Sequence, residues 1–378
     1  MSKKAMWAEV LIFLLFIGGF FVANMLTPQR TFSEQENRVL QTMPRFTFER
    51  LFNKEFTTEF EDYTSDQFIF RDEWITLKAA SELALGKKEN NDVSYGKEQT
   101  LIEGFDAPDK STLDTNMSYV NQLVQNTDAN VYFALIPEKS EIWSDRLPNL
   151  TPNDSQAELI EYCYGLSNAN NVDMLAPLRE HADEYIYYRT DHHWTSLGAY
   201  YGYTGLATAL GYTPVPLNDY TETVRSTEFY GTVFSSSGVR WVRPDTISTY
   251  VPDDGITVAS HTYDNKGNPV EEPRQLYDTS FLSVKDKYSM FLGGNQPLGV
   301  VKNANNPDGP RLLIIRDSYA DSLVPFLTPH FSEIHLLDLR YYKLSIADYI
   351  AQNGIDQALV LYSVPNFVTD SNLLWIAK

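Results

Sequence analysis

Two short stretches carry the residue types that acyl chemistry needs: Thr190-Asp191-His192-His193-Trp194-Thr195 and Ile314-Ile315-Arg316-Asp317-Ser318-Tyr319-Ala320. A serine hydroxyl is a weak nucleophile until a base takes its proton. Asp191 and His193 stand two residues apart. That spacing lets the carboxylate accept a hydrogen bond from one imidazole nitrogen and fixes the other as the acceptor a general base requires. Ser318 follows the apolar run Leu312 to Ile315 and opens a predicted helix. Catalytic groups of parallel sheets collect at such a C-terminal strand edge, and the free N–H groups of the helix would face an oxyanion there. Other readings stand beside these. Ser318 or Asp317 would serve equally as a helix cap, and Asp191, His192 and His193 as a structural cluster. Metal ligation by those three is disfavoured, because adjacent histidines in regular secondary structure do not readily reach one ion and no zinc-spaced Cys, His or carboxylate lies nearby. The chain has no Gly-x-Ser-x-Gly elbow, phosphate loop or dinucleotide fingerprint, so the sequence implies neither metal nor nucleotide cofactor.

The elements that must position these residues alternate. Val131 to Ile136, Leu312 to Ile315, Glu333 to Leu337 and Ala358 to Tyr362 read as buried strands, and Tyr185 to Tyr188 reads as a strand running into Asp191. Leu113 to Val124, Ser155 to Leu166, Ser196 to Leu210 and Ser345 to Gln352 read as helices, with Thr195 or Ser196 as the N-cap after His193. The alternation predicts an α/β fold with a mainly parallel sheet flanked by helices. Prolines, glycines and turn signals such as Asp253-Asp254-Gly255 and Asn265-Lys266-Gly267-Asn268 interrupt the rhythm, marking a β-rich insertion at about 212–305 that could form a flap over the site. Before all this, Phe46 to Leu85 is periodic as a helix is, and Gly86 to Asp92 is a turn-rich break.

The N-terminus is a strong physical signal. Lys3 and Lys4 precede an almost wholly apolar run from Val10 to Leu26, with no charge until Arg30. About 20 apolar residues cross a bilayer, and the two lysines predict a cytoplasmic N-terminus. Val22-Ala23-Asn24 is a poor cleavage site, which favours an uncleaved transmembrane anchor over a signal peptide. The expected organisation is an anchor over 1–28, a linker and helical segment over 29–96, and an α/β domain over 97–378. The formal net charge of -20 argues against nucleic acid, whose phosphates need clustered Lys and Arg. The single cysteine, Cys163, excludes an intrachain disulfide; it sits in a predicted helix interior and reads as packing. The 24 tyrosines fit either dense packing or sugar contact.

The Asp191-His192-His193-Trp194 tetrad resembles the signature of the DHHW protein family, which is similar to the alginate O-acetyltransferase proteins AlgJ and AlgX. The resemblance runs in order through Phe32-Ser33-Glu34, Asn37-Arg38, Asp66-Gln67-Phe68, Arg71-Asp72, Gly86-Lys87-Lys88, Tyr95-Gly96-Lys97, Ile136-Pro137-Glu138-Lys139, Tyr230-Gly231-Thr232, Asp317-Ser318-Tyr319 and Asp338-Leu339-Arg340-Tyr341-Tyr342. It implies an SGNH-hydrolase-like domain whose Asp-x-His pair precedes the serine, a permuted motif order. By that resemblance Asp191 orients, His193 is the base and Ser318 the nucleophile. Arg340, Tyr341, Tyr319 and Asn366 are secondary candidates for oxyanion or substrate binding. The resemblance further implies acetyl transfer to an extracellular polysaccharide, with a membrane-bound O-acyltransferase supplying the acetyl group at a bacterial cell membrane. Nothing resembles an added carbohydrate-binding module, so the acceptor stays open, as do an esterase using the same triad and a non-catalytic glycan-binding or scaffold protein.

Overall fold

A computed structural model describes residues 3–263 and 269–378; the turn signal at Asn265–Asn268 lies outside the described residues. The chain forms two compact units, one running to Asn90 and including Ser235–Arg240, the other holding the remainder.

The first unit begins with α1 (Lys3–Leu26), none of whose residues is buried. At about 1.5 Å per residue its 24 residues reach about 36 Å, more than the roughly 30 Å of a bilayer's hydrocarbon core. The helix is long and apolar enough to cross a membrane. The periodic stretch after it is three helices rather than one: α2 (Phe48–Phe52), α3 (Glu55–Asp66) and α4 (Arg71–Ala84). Lys54 (φ 70°) and Phe70 (φ 59°) adopt the left-handed conformation, which no right-handed helix can pass through. The apolar period survives the two breaks, which is why the sequence conceals them. Arg38 closes the corner by pairing with Asp66 at 2.5 and 3.0 Å.

The second unit is built on eight strands: β1 (Asn130–Ile136), β2 (Asn170–Val172), β3 (Ile256–Tyr263), β4 (Pro269–Arg274), β5 (Leu298–Asn303), β6 (Arg311–Arg316), β7 (Glu333–Leu337) and β8 (Gln357–Ser363). Their order across the sheet is β4-β3-β5-β7-β6-β8-β1-β2. The five strands from β7 to β2 are parallel. Along β6, Leu312 and Ile314 enter one core while Leu313 and Ile315 enter the other, the two-residue period of a strand buried on both faces. Helices α7 (Ser196–Ala209) and α8 (Ala320–Leu327) cover the first face; α5 (Lys110–Asn126), α6 (Gln156–Leu166) and α9 (Ile346–Asn353) cover the second. Ser155, Thr195 and Ser345 cap α6, α7 and α9 with side-chain oxygens.

Two expectations are corrected here. Much of the stretch at 212–305 is no separate flap, because β3, β4 and β5 extend the sheet antiparallel beyond β7. Tyr185 to Tyr188 is no strand either. It makes one isolated bridge, Tyr187 to Trp194, and closes a tight loop in which Tyr188 N–H donates to the His193 carbonyl (3.2 Å) and Thr195 N–H to that of Ile186 (2.9 Å). Its apolar character reflects side-chain burial: Ile186, Tyr187 and Tyr188 are fully enclosed.

Helix α7 lies against this loop at Gly198, where a Cβ would stand 2.1 Å from the Ile186 carbonyl oxygen and 3.0 Å from Trp194 Cβ. Backbone cannot yield as a flexible side chain can. Gly198→Ala is therefore expected to destabilise the unit by about 1–3 kcal/mol, the usual cost of overpacking, read as a lowered denaturation midpoint. An unchanged midpoint would show that the loop is not held against the helix.

Candidate active site

The C-terminal edge of the parallel strands gathers the residues that the sequence marks. His193 lies in the 188–194 loop and Ser318 in the turn between β6 and α8. His193 Nε2 is 2.7 Å from Ser318 Oγ, and His193 Nδ1 is 2.6 Å from Asp191 Oδ1. Asp191 and His193 are buried. The Ser318 hydroxyl thus faces an imidazole and does not cap α8.

Each member of this chain is held from outside. Asp191 Oδ1 also accepts from the His193 N–H (3.0 Å), while Oδ2 accepts from the Thr232 N–H (2.8 Å) and hydroxyl (3.1 Å). The His193 ring stacks on Tyr288, with centroids 3.7 Å apart and planes at 11°. Tyr288 in turn donates to the Ser318 carbonyl at 3.0 Å. Trp194 Nε1 donates to the Tyr319 carbonyl and to Ser322 Oγ, both at 3.0 Å, tying the histidine loop to the serine turn. Lys139 Nζ is buried beneath the loop and donates to the carbonyls of Asp191 (2.7 Å) and Tyr188 (3.2 Å). Thr232, Tyr288 and Lys139 escape sequence reasoning as parts of the site. The only signal is that two of them fall in segments of the family resemblance.

Asp317 secures the serine from the other side. Its Oδ2 accepts from the Ser363 N–H, the Ser363 hydroxyl and Asn366 Nδ2, each at 2.8 Å, and its Oδ1 from the Tyr319 N–H at 3.0 Å. The Ala320 and Asp321 N–H groups bond back to the Asp317 and Ser318 carbonyls. The first amides of α8 are therefore engaged inside the turn, contrary to the expectation that they stand free for an oxyanion.

The secondary candidates separate. Tyr319 is fully buried, packs 5.1 Å from the His193 ring and donates to the His192 carbonyl. Asn366 serves Asp317. Arg340 clamps Asp338 through Nε (2.9 Å) and Nη2 (2.5 Å), and Tyr341 is 55% exposed beside it. Asp191, His192 and His193 converge with ligand atoms within 4.8 Å of one another. This corrects the spacing argument, which assumed regular secondary structure; the loop here has none. Those atoms already hydrogen-bond within the protein: His192 Nδ1 to Thr232 Oγ1 at 2.7 Å, His193 Nδ1 to Asp191.

Burial alone would raise the Asp191 carboxyl, yet its electrostatic coupling to the neighbouring imidazoles of His192 and His193 and the hydrogen bonds from His193 and Thr232 hold it well below the ordinary carboxylate value. Burial, then the neighbouring His193, pushes His192 down to about 3, so it is neutral at physiological pH. Glu138 Oε1 lies 3.3 Å from Tyr319 Oη; burial, then the charge of Glu103, pushes its carboxyl up to about 8. Burial raises the Cys163 thiol to about 12, leaving it inert.

The profile of the DHHW protein family matches residues 103–337. A DHHW family protein from Eubacterium siraeum is 26% identical with a TM-score of 0.63, over 76% of this chain and 95% of its own. PatB1 of Bacillus cereus, in a structure with a sulfonyl adduct, is 22% identical with a TM-score of 0.60, over 74% of this chain and 95% of its own; that likeness is one of fold. The O-acetyltransferase domain of Pseudomonas putida AlgJ is 15% identical with a TM-score of 0.48, over 75% of this chain and 97% of its own. Comparison with curated proteins gives no match.

Glu138 gives the site a measurable signature. Folded chains keep its proton up to about pH 8, whereas an unfolded chain releases it near the ordinary glutamate value of about 4.3. Between these limits the folded state binds more protons, so stability falls as pH rises. Glu138→Gln is expected to flatten that fall and to gain on the wild type as pH increases towards 8, in melting temperatures taken across the range. Parallel curves would mean that Glu138 titrates as a solvated carboxylate.

Proposed function

The chain belongs to the DHHW protein family, and from that premise we propose that it is a membrane-anchored, extracytoplasmic O-acetyltransferase of a cell-surface or secreted polysaccharide, working through a serine–histidine–aspartate triad. The observation that carries this reading is the hydrogen-bonded chain from Ser318 through His193 to Asp191 at the C-terminal edge of the sheet. The domain is read as SGNH-hydrolase-like with its motifs permuted.

In the first half-reaction His193 Nε2 takes the Ser318 proton as Oγ attacks the acetyl carbonyl carbon of the donor. A C–O bond forms and the carbonyl oxygen becomes an oxyanion. With the amides of Tyr319, Ala320 and Asp321 engaged, the Ser318 N–H is the main-chain donor assigned to that oxyanion. Collapse breaks the bond between acetyl carbon and donor oxygen, and the departing oxygen takes the proton from His193. In the second half a sugar hydroxyl gives its proton to His193 and attacks the acetyl-serine; the acetyl ester passes to the sugar and Ser318 recovers the proton. Asp191, kept ionised by its neighbours, fixes the imidazole tautomer and balances the imidazolium in both halves.

Lys3 and Lys4, in the first turn of α1 and ahead of its apolar run, support a cytoplasmic N-terminus with the catalytic unit outside. Acetyl groups must then cross the membrane, which assigns their supply to a membrane-bound O-acyltransferase. Hydrolysis by the same triad shares the first half-reaction, and acceptor dependence of the product separates the two.

Sulfonyl reagents are attacked by activated nucleophiles, and the fold-related PatB1 has been captured with a sulfonyl adduct. Methanesulfonyl fluoride is therefore expected to add one methylsulfonyl mass to this protein. Ser318→Ala is expected to lose both that adduct and cleavage of p-nitrophenyl acetate, the latter by about 10³-fold or more. Wild-type rates in Ser318→Ala would remove the serine as nucleophile. A second variant probes the triad without touching it. A Cβ on Gly231 would stand 2.2 Å from Asp191 Cβ and Oδ2, so Gly231→Ala is expected to dislodge the carboxylate and cost about 10²–10⁴-fold, approaching the loss when a triad aspartate is neutralised. Undiminished cleavage would argue that Asp191 does not orient His193.

A further inference from the structure

The second half of α1 packs against the corner that joins α3 to α4. Phe20 stacks on Phe68, with ring centroids 5.8 Å apart and planes at 3°, and meets Trp74 at 6.1 Å. Asn24 Oδ1 accepts from the Ile69 N–H at 2.7 Å. An open groove of about 600 Å³ runs between them, lined among others by Phe16, Phe20 and Asn24 of α1 and by Thr64, Phe68 and Trp74. On the reading that α1 spans the membrane, these contacts fix a depth. The helix carries no charge after Glu9, and the chain none until Arg30. A hydrocarbon core of about 30 Å, at about 1.5 Å per residue, takes up about 20 residues from Val10, so the outer boundary lies beyond Leu26. Phe20 precedes Leu26 by six residues, which sets it about 9 Å inside that boundary. Phe68 and Trp74, packed on its ring, are carried below the headgroups with it.

The surface beside this contact suits lipid. Phe70, Trp74 and Leu77 follow the i, i+4, i+7 spacing of one helical face, and with Phe68 they are 40–60% exposed. Phe70 also holds a left-handed backbone, φ 59°, which Gly or Asn adopts at lower cost. In water an exposed phenyl group there is unfavourable twice over; in hydrocarbon the ring is buried. The turn meets the demand that lipid makes of irregular backbone. Its Ile69 N–H is taken by Asn24, and the Ile69 carbonyl accepts from Trp74 Nε1 at 3.2 Å. Charges next to the turn are neutralised in pairs, Arg30 with Asp72 at 2.8 Å and Arg71 with Glu36.

We propose that the α3–α4 corner and the face formed by Phe70, Trp74 and Leu77 insert into the outer leaflet beside α1, with lipid acyl chains filling the groove. The first unit then holds the bilayer at two places, the spanning helix and this face. Insertion stops there, because α3 carries Glu55, Glu59, Glu61 and Asp62, and carboxylates are costly in hydrocarbon. Phe52, although 82% exposed, therefore stays outside. The inference rests on the transmembrane reading of α1, and the experiment below lets the two fail separately.

Bromine quenches tryptophan fluorescence only on close approach, so the full chain is reconstituted in vesicles of phosphatidylcholine brominated on its acyl chains and compared with unbrominated vesicles. The double variant Trp7→Phe/Trp74→Phe supplies the background, because the four tryptophans it keeps, Trp143, Trp194, Trp241 and Trp375, belong to the second unit. Trp7→Phe alone retains Trp74 and is expected to be quenched beyond that background. Phe13→Trp added to the background reports the middle of α1 and is expected to be quenched as well. Phe52→Trp added to the background is expected to gain no quenching. Loss of quenching in Trp7→Phe while Phe13→Trp keeps it overturns the inserted face and leaves the anchor standing. No quenching of Phe13→Trp overturns the transmembrane reading and the insertion with it. Quenching of Phe52→Trp equal to that of Trp74 overturns the selective face, since the exposed aromatics would then lie on lipid without distinction.

Discussion

Asp191 is a charge held out of water, and the site is the arrangement that makes this tolerable. An isolated buried carboxylate would cost so much that it would take up a proton. Here both oxygens are occupied, Oδ1 by the backbone N–H and the ring Nδ1 of His193 and Oδ2 by the backbone N–H and hydroxyl of Thr232. Removing any donor leaves the others facing an under-solvated charge, so the loop, the imidazole and the Thr232 segment are locked together. A rigid imidazole with a fixed tautomer follows from this one constraint, and the 2.7 Å approach to Ser318 depends on it.

The loop itself has no ladder to hold it, only one isolated bridge. Lys139 supplies the missing restraint by bonding the carbonyls of Tyr188 and Asp191 at once. Burial lowers the lysine's pKa, and Glu103 and Asp191 oppose that fall, so the ammonium and the carboxylates around the loop sustain one another. Asp317 performs the matching task across the turn, tying Ser318 to the end of β8 through Ser363 and Asn366. Ser318 and His193 are thus fixed by two separate buried carboxylates, each satisfied by its own donors.

Much of this was legible in the residues and some was not, for a definable reason. Periodicity reports burial. The apolar runs at Val131–Ile136 and Leu312–Ile315 fall within β1 and β6, and the unbroken N-terminal run is α1. Burial does not report who the partner is or which way it runs. Tyr185 to Tyr188 is buried by side chains and therefore looks like a strand; β3 to β5 pair antiparallel although the neighbouring strands are parallel. Asp191 and His193 were readable because their contact is local. Their proximity to Ser318, 125 residues away, depends on the sheet. The roles of Thr232 and Tyr288 were hidden because each acts on a residue distant in sequence, Thr232 on Asp191 41 residues away and Tyr288 on Ser318 30 residues away, and the breaks at Lys54 and Phe70 because a left-handed residue leaves no mark on an apolar period.

The sheet edge also separates where a residue stands in space from its order along the chain. Parallel strands all end on one side, whatever their sequence. Lys139 follows β1, Ser318 follows β6, Asp338 and Arg340 follow β7, and Asn366 follows β8. The antiparallel extension delivers Tyr288, between β4 and β5, onto the His193 ring. Cutting and rejoining the chain elsewhere would move these residues in sequence and leave them where they are in space. What must be conserved for such a site to work is the direction of the strands and the burial of the two carboxylates, and the order in which histidine and serine are encountered is free to change.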